Sequence, residues 1–269
     1  MTNQIVHFTQ QGEGAPVVLI HGLAASVFDW VDLTPALVAA GYTVYALDLL
    51  GHGKSIKPAD LRQYHIDRVF EHFDAWMQSL SLETAVTLVG HSLGGYLAVE
   101  YALRFPEKVR ALVLVDPFYS LEQLPPLLRW HYKRPFINLG MIVYAPEWLI
   151  RLSIELTGLF IRNGYIAPQS KAARAQTAQD YKRSSPGIYN ILTTTRDLTP
   201  ILSKITVPTL VVWGAHDQSL APKSFPTLAA AMPHAQTAVI DSGHVPHQSH
   251  AQKFNRLVLA FLERVDGGR

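Results

Sequence analysis

The stretch Gly90-His91-Ser92-Leu93-Gly94-Gly95 contains a serine with a glycine two positions away on either side. It follows an apolar run at residues 86–89, which is typical of a buried strand, and a helical pattern starts near Tyr96. A sharp turn between a strand and a helix strains the backbone of the serine and exposes its hydroxyl group. The free N–H groups at the start of such a helix can stabilise an anion. We therefore interpret Ser92 as a candidate nucleophile.

Apolar runs like the one before Gly90 recur along the chain and alternate with helical patterns. The runs lack polar alternation, which is typical of strands that are buried on both faces of a parallel sheet, and they cover residues 17–20, 43–47, 86–89, 111–115, 209–213 and 237–240. Helical patterns cover residues 67–80, 96–105 and 251–265. This rhythm predicts an α/β fold with a mostly parallel, doubly wound sheet, whose ligands bind at the carboxyl ends of the strands.

Two polar residues follow strands at the same predicted edge as Ser92. A serine hydroxyl is a weak nucleophile near neutral pH and needs an adjacent base, which in turn needs a carboxylate to orient it. His244 follows the last predicted strand, and Asp217 follows the strand before it. The sequence therefore favours His244 as the base and Asp217 as the acid.

With the motifs around these residues, the chain resembles the α/β-hydrolase superfamily over nearly its whole length, and within it the capped serine esterases. The motifs that carry the resemblance are His21-Gly22-Leu23, residues 48–55, the serine motif, Val207-Pro208-Thr209 leading to Gly214 and Asp217, and Gly243-His244-Val245-Pro246. The chain order Ser92, Asp217, His244 is also that of the superfamily.

The resemblance implies roles and domains. Ser92 would be the nucleophile, His244 the base and Asp217 the acid, and the backbone N–H groups of Leu23 and Leu93 would form an oxyanion hole. Residues 1–116 and 201–269 would form the α/β-hydrolase core, and residues 117–200 a helical cap. The cap segment has no clear strand pattern, and its Ser185-Pro186 pair is typical of a helix start.

Two features depart from the superfamily pattern. The superfamily usually opens with a β-hairpin, whereas only residues 5–10 precede the glycine-rich turn here, so we expect an N-terminal strand to be missing. Ser249 stands where an acidic residue is common. A serine nucleophile also disfavours epoxide hydrolase and haloalkane dehalogenase chemistry.

Several residues have competing interpretations. Asp116 also follows a strand and is an alternative acid, although it leads directly into Pro117 and is favoured less than Asp217. The His91 side chain is expected to point away from Ser92 and to pack or hydrogen-bond, while His21 shapes the oxyanion loop. His244, His247 and His250 are spaced three apart, but Pro246 interrupts the helix that a metal site would need, so no metal is expected.

Composition excludes several classes of protein. The 269 residues suit one large domain or one domain with an insertion, and the 23 basic and 21 acidic residues nearly balance, which does not suggest nucleic acid as a partner. The absence of cysteine rules out disulfides and thiolate chemistry. No cofactor, secretion signal or transmembrane segment is expected. The apolar segment 136–161 is interrupted by Pro146, Glu147, Arg151 and Glu155, so it is interpreted as helical and not membrane-spanning.

The sequence thus predicts a cytoplasmic serine hydrolase that cleaves carboxylic esters of small to medium apolar substrates through an acyl-enzyme. Three alternatives remain open: a hydrolase or lyase acting on carbon–carbon bonds, a lipase, and a ligand sensor on the same fold. The first would need a cationic pocket, for which Arg129, His131, Lys133 and Arg134 are candidates. Substrate and oligomeric state are left open.

Overall fold

The computed structural model describes residues 5–133, 143–160 and 170–267 and contains a seven-stranded sheet. The strand order is β1-β3-β2-β4-β5-β6-β7, and every pair is parallel except β1 with β3. The strands are β1 (Phe8–Gln11), β2 (Ala15–Ile20), β3 (Tyr42–Leu47), β4 (Val86–His91), β5 (Val109–Val115), β6 (Thr209–Gly214) and β7 (Ala235–Ile240). The predicted parallel α/β sheet is therefore confirmed.

All six predicted strands are present, and each begins or ends one or two residues beyond the apolar run that predicted it. The additional strand β1 pairs antiparallel with β3, with Phe8 opposite Leu47. Gly12 and Gly14, both with positive φ, turn the chain between β1 and β2. Among the described residues β1 therefore pairs with β3 and not with β2, and the missing N-terminal strand stays a prediction.

Helices cover both faces of the sheet. The described α-helices of the chain are α1 (Leu33–Ala39), α2 (Ile66–Ser79), α3 (Leu93–Arg104), α4 (Pro126–Lys133), α5 (Glu147–Phe160), α6 (Lys171–Arg183), α7 (Ser224–Ala231), α8 (Pro246–Ser249) and α9 (Ala251–Gly267). Buried side chains of α1 and α9 pack on one face of the sheet, whereas those of α2, α3 and α7 pack on the other. Two apolar cores therefore sandwich the sheet and hold its strand ends in fixed positions.

The segment between β5 and β6 contains α4, α5, α6 and short 3₁₀ helices, with no strand among its described residues. Ser185 caps a 3₁₀ helix (Pro186–Thr194) by accepting a hydrogen bond from the Gly187 N–H, so the predicted helix start is correct although the helix is not α. One contact between this segment and the core is a hydrogen bond from the Ser185 N–H to the Gly51 carbonyl over 2.8 Å. This placement agrees with a helical insertion at residues 117–200, whose extent remains a prediction.

Part of the apolar segment 136–161 lies outside the described residues, and so does Arg134. Within this segment, residues 147–160 form α5. In the part of the chain that the structure describes, no helix combines the length and the apolar character that a membrane crossing requires.

Candidate functional site

Ser92 lies at the junction of β4 and α3 in a backbone conformation that residues with a side chain rarely adopt. Its φ is 49° and its ψ is −114°. Three backbone hydrogen bonds hold this conformation: the Ser92 N–H donates to the Val115 carbonyl over 3.0 Å, and the Ser92 carbonyl accepts from the N–H groups of Phe118 and Tyr96. The strain is therefore supported by the neighbouring strand and by the first turn of the helix.

The glycines around Ser92 are required because backbone segments meet closely there. A Cβ at position 94 would lie 2.0 Å from the Ile20 carbonyl oxygen, and one at position 90 would lie 2.4 Å from the Gly94 carbonyl oxygen. These two carbonyls belong to β2 and α3, so neither can move aside without displacing an element of the core. α3 begins at Leu93 and not near Tyr96 as predicted, because this packing overrides the low helix propensity of glycine.

The loop that follows β2, residues 21–26, is called the β2 loop here, and it lies against the start of α3. His21 is fully buried, its Nδ1–H donates to the Gly22 carbonyl over 2.7 Å, and its Nε2 accepts from the Leu49 N–H. Burial lowers the pKa of His21, so the ring is neutral. These bonds fix the course of the loop at Leu23, as the sequence predicts for His21.

Asp217 and His244 meet at the carboxyl edge of the sheet. The His244 Nδ1–H donates to Asp217 Oδ2 over 2.7 Å, and both side chains are buried. The second oxygen of Asp217 accepts from the N–H groups of Ser219 and Leu220. Burial raises the pKa of Asp217, but the charge and hydrogen bond of His244 outweigh it, so the pKa lies below its usual value. Asp217 is therefore an ionised partner for the imidazole.

Asp116, the alternative acid, makes a different contact. Its Oδ1 accepts from the Gly214 N–H over 2.9 Å, and its backbone φ is 39°. One carboxylate oxygen each of Asp116 and Asp217 and one ring nitrogen of His244 lie within 4.8 Å of one another. Burial raises the pKa of Asp116 well above its usual value, and the nearby charge of Asp217 adds to this. Asp116 thus carries a proton, while Asp217 carries the charge.

The three histidines that follow β7 bind different partners. His244 binds Asp217, His247 Nε2 donates to Asp29 Oδ1 over 3.0 Å, and His250 Nδ1 lies 3.0 Å from Ser249 Oγ. The arrangement does not bring the three rings around a common centre. Asp29 is a buried residue that sequence reasoning missed, since nothing near it in the chain marks it as functional.

A cavity of about 280 Å³ lies beside the β2 loop, between the core and α6. Its lining includes Ala24 and Ala25, next along the chain from Leu23, and Val245, which follows His244. Charged residues among the described lining are all acidic: Asp29, Asp32 and Asp180. The cavity therefore reaches the chain neighbours of Leu23 and His244, and its described lining includes no Lys or Arg.

Asp180, on α6, is the second buried carboxyl that the sequence did not reveal. Its Oδ1 accepts from Ser26 Oγ over 3.0 Å and from Gln176 Nε2 over 2.9 Å, so it joins α6 to the β2 loop. Burial raises the pKa of Asp180 from 3.8 to about 7, with smaller contributions from the charges of Asp29 and Asp48. The contact between α6 and the β2 loop therefore contains a carboxyl with a pKa near neutral pH.

The large apolar side chains of the helical segment differ in their exposure to solvent. Phe118, Tyr119 and Leu124 are buried, whereas Trp130, Tyr144 and Trp148 are exposed. The cations Arg129 and Lys133 form ion pairs with Glu122 on the surface. His131 is buried on α4.

Replacement of Asp180 tests this titration. The folded-state pKa is raised above the unfolded value, so the carboxyl contributes stability at low pH that is lost as the pH rises towards about 7. Asp180→Asn keeps the acceptor for Ser26 and cannot ionise. We take the difference in unfolding free energy, variant minus wild type, at each pH. Between pH 5 and pH 8 we expect this difference to rise by on the order of 1 kcal/mol. Urea unfolding at both pH values measures it, and an unchanged difference would contradict the assignment.

The sequence of this chain is similar to those of several known proteins. Residues 17–257 match the model of the alpha/beta hydrolase family. Lipase 3 of Moraxella sp. strain TA144 is 29% identical over 250 residues, which cover 87% of this chain and 72% of that protein. A 2-hydroxy-6-oxononadienedioate/2-hydroxy-6-oxononatrienedioate hydrolase of Paraburkholderia xenovorans strain LB400 is 29% identical over 277 residues, covering 96% of this chain and 90% of that protein.

A solved structure has the same fold. The crystal structure of a bromoperoxidase from Bacillus anthracis superposes with a TM-score of 0.82 at 26% identity, covering 96% of this chain and 95% of that one. The matched residues 17–257 contain Ser92, Asp217 and His244 and span six of the seven strands almost completely. The chain belongs to the alpha/beta hydrolase family.

Proposed function

We propose that this hydrolase cleaves carboxylic esters of small to medium apolar substrates with Ser92 as nucleophile, His244 as base and Asp217 as acid. The observation that carries the proposal is the buried 2.7 Å hydrogen bond from His244 to an ionised Asp217, at the sheet edge where Ser92 has a positive φ. Ring contact supports the same arrangement, because the His244 ring lies 4.9 Å from that of His91, the residue before Ser92.

In the first half of the reaction, Ser92 Oγ attacks the ester carbonyl while His244 Nε2 takes the hydroxyl proton. The resulting imidazolium is stabilised by Asp217, which also holds the ring in the tautomer that leaves Nε2 free to accept. His244 then gives the proton to the departing alcohol oxygen. An acyl-enzyme on Ser92 remains.

In the second half, water attacks the acyl carbonyl, and His244 takes its proton and returns it to Ser92 Oγ as the acid leaves. Negative charge develops on the carbonyl oxygen in both halves. The N–H groups of Leu23 and Leu93 are the proposed donors to it. Leu93 is the first residue of α3, so its N–H has no acceptor within the helix.

Charge around the site favours neutral substrates. The carbon–carbon hydrolase among the relatives is named for dianionic substrates, which require cationic partners. The described lining of the adjoining cavity holds carboxyl groups, and Arg129 and Lys133 are already paired with Glu122 on the surface. An uncharged ester therefore fits the site better than a dicarboxylate. The lining supplied by residues 117–200, the proposed cap, would select the substrate.

A lipase is the second candidate. Trp148, Leu149 and Leu152 on α5 are exposed, and exposed apolar groups on a helix suit adsorption to a lipid surface. The similarity to a lipase points the same way. Both candidates use the same three side chains and differ only in how the ester is presented.

Ser92→Ala tests the nucleophile. Removal of the hydroxyl should lower kcat for a p-nitrophenyl ester by about 10³-fold or more, because no acyl-enzyme can form. Ser203→Ala, an exposed serine, is the matched control and should retain full activity. A fluorescent phosphonate should label wild type and the control but not Ser92→Ala. Near-normal turnover by folded Ser92→Ala would end the assignment, and labelling without turnover of any ester would indicate a ligand sensor.

Substrate class is tested with one panel. We expect turnover of neutral p-nitrophenyl esters over several acyl lengths, since an apolar pocket separates neighbouring lengths by only about 1–3 kcal/mol. We expect no cleavage of a 2-hydroxy-6-oxo-dienoate, measured by loss of its absorbance. Preferential cleavage of the dienoate would favour the carbon–carbon hydrolase, whereas a jump in rate above the solubility limit of a long ester would favour the lipase.

Matched amide substitutions separate the two buried carboxyls. Asp217→Asn should lower kcat by about 10⁴-fold, because the amide disturbs the His244 tautomer and removes the balancing charge. Asp116→Asn should cause a far smaller loss, because Asp116 already carries a proton and its Oδ1 acceptor is retained for the Gly214 N–H. Steady-state kinetics on both variants measures the effect. A larger loss for Asp116→Asn would reverse the assignment of the acid.

A further inference from the structure

A second buried cluster of titratable groups lies beside the proposed catalytic residues. Asp29 Oδ2 accepts from His91 Nδ1 over 2.9 Å, and Asp29 Oδ1 accepts from His247 Nε2 over 3.0 Å and from Gln248 Nε2 over 2.6 Å. The His91 and His247 rings lie 4.5 Å apart between their centroids. Asp29, His91 and His247 are each at least 95% buried. The proposed reaction does not use any of these side chains.

The His91 ring has an acceptor at both nitrogens. Nδ1 faces the Asp29 carboxylate, and Nε2 lies 2.9 Å from the backbone carbonyl oxygen of His244. A carbonyl oxygen and a carboxylate oxygen are both acceptors, so the ring lies between two acceptors. The His91 side chain therefore links Asp29 to the backbone of His244.

The charge of Asp29 suits these contacts. Burial raises the pKa of Asp29, but the charges of His91 and His247 and their hydrogen bonds outweigh burial and hold the pKa well below its usual range. The carboxylate also accepts from the Gly22 N–H over 3.3 Å. Asp29 is therefore ionised and linked to the β2 loop.

Close packing joins the same groups. A Cβ at position 22 would lie 2.9 Å from His91 Nδ1 and 3.3 Å from Ser92 Cβ, so Gly22 leaves the space that the His91 ring fills. The ring thus touches the β2 loop at Gly22, bonds to the backbone of His244, and belongs to the residue before Ser92. Three chain segments that supply the proposed nucleophile, base and oxyanion donor meet at one side chain.

We propose that His91 is a positioning residue that holds the β2 loop, Ser92 and the backbone of His244 in register through its bonds to Asp29 and to the His244 carbonyl. The inference rests on the proposed function, because register matters only if Ser92 and His244 react together. A displacement of about 1 Å at reacting groups lowers rates by about 10²-fold. Loss of these bonds is therefore expected to reduce kcat and to leave KM nearly unchanged, since no substrate contact is removed.

His91→Phe tests this, because phenylalanine fills the ring space and cannot donate. The matched control is His72→Phe, which makes the same change at a buried histidine on α2, remote from the cluster. We expect His91→Phe to lower kcat by about 10–100-fold and to slow phosphonate labelling of Ser92 similarly, with KM within about twofold. His72→Phe should leave all three unchanged. Equal effects of the two substitutions, or loss of melting temperature with kcat retained, would show a merely structural role and overturn the proposal.

Two further variants keep the test decisive if His91→Phe does not fold. His91→Gln offers an amide N–H to the His244 carbonyl and should recover part of kcat. Asp29→Asn removes the carboxylate charge and should also lower kcat. The double variant Asp29→Asn with His91→Gln should lose no more kcat than the worse of the two single variants, because the two side chains act as one unit. Additive losses, or no loss in Asp29→Asn, would overturn the proposal.

These experiments distinguish failure of the proposed function from failure of the positioning role alone. If wild type hydrolyses no ester and Ser92 takes no phosphonate, the proposed function fails, whatever the His91 variants do. If wild type is active and His91→Phe matches it in kcat and labelling, only the positioning role fails.

Discussion

Everything at the site depends on the positive φ of Ser92, which turns the chain sharply from β4 into α3. A residue with a side chain pays a steric cost in that conformation, so the surrounding backbone must hold it there. Hydrogen bonds to Val115 and Phe118 do so from β5 and the chain that follows it. The close approach of Gly94 to Ile20 then brings the start of α3 against the end of β2, where the β2 loop begins. One strained residue thus brings together the ends of three adjacent strands.

Contact with a histidine separates the buried carboxyls Asp29 and Asp217 from Asp116 and Asp180. Asp217 and Asp29 accept from imidazole N–H groups, and their pKa values lie below the usual value in spite of burial. Asp116 and Asp180 accept only from neutral donors, and burial raises their pKa values. The two carboxyls with lowered pKa values are therefore those whose negative charge an imidazole N–H can balance.

Sequence reasoning succeeded where the signal is local. Six strands, the turn at Ser92 and the carboxyl-edge positions of Asp217 and His244 follow from apolar runs and the residues that end them. It failed where the bonding partner is distant in sequence. Asp29 and His91 are 62 residues apart in the chain, and Asp180 and Ser26 are 154 residues apart. No period or motif marks such pairs, because they form only after the sheet has aligned the loops. Helix boundaries at glycines failed for the same reason, since packing of the backbone decided the start of α3.

The contacts of the helical segment explain how one framework can serve several substrates. Near its start the segment contacts the turn itself, because the Phe118 N–H donates to the Ser92 carbonyl. Farther along, the Asp180 side chain on α6 bonds to the Ser26 side chain of the β2 loop, away from the bonds that hold Ser92. Substitutions on α6 can therefore reshape the cavity without removing the bonds that hold that turn. The relatives fit this separation, because a lipase and a carbon–carbon hydrolase share the framework at similar identity to this chain. Under the proposed function, the strand ends supply the reacting groups and the proposed cap supplies the selection among substrates.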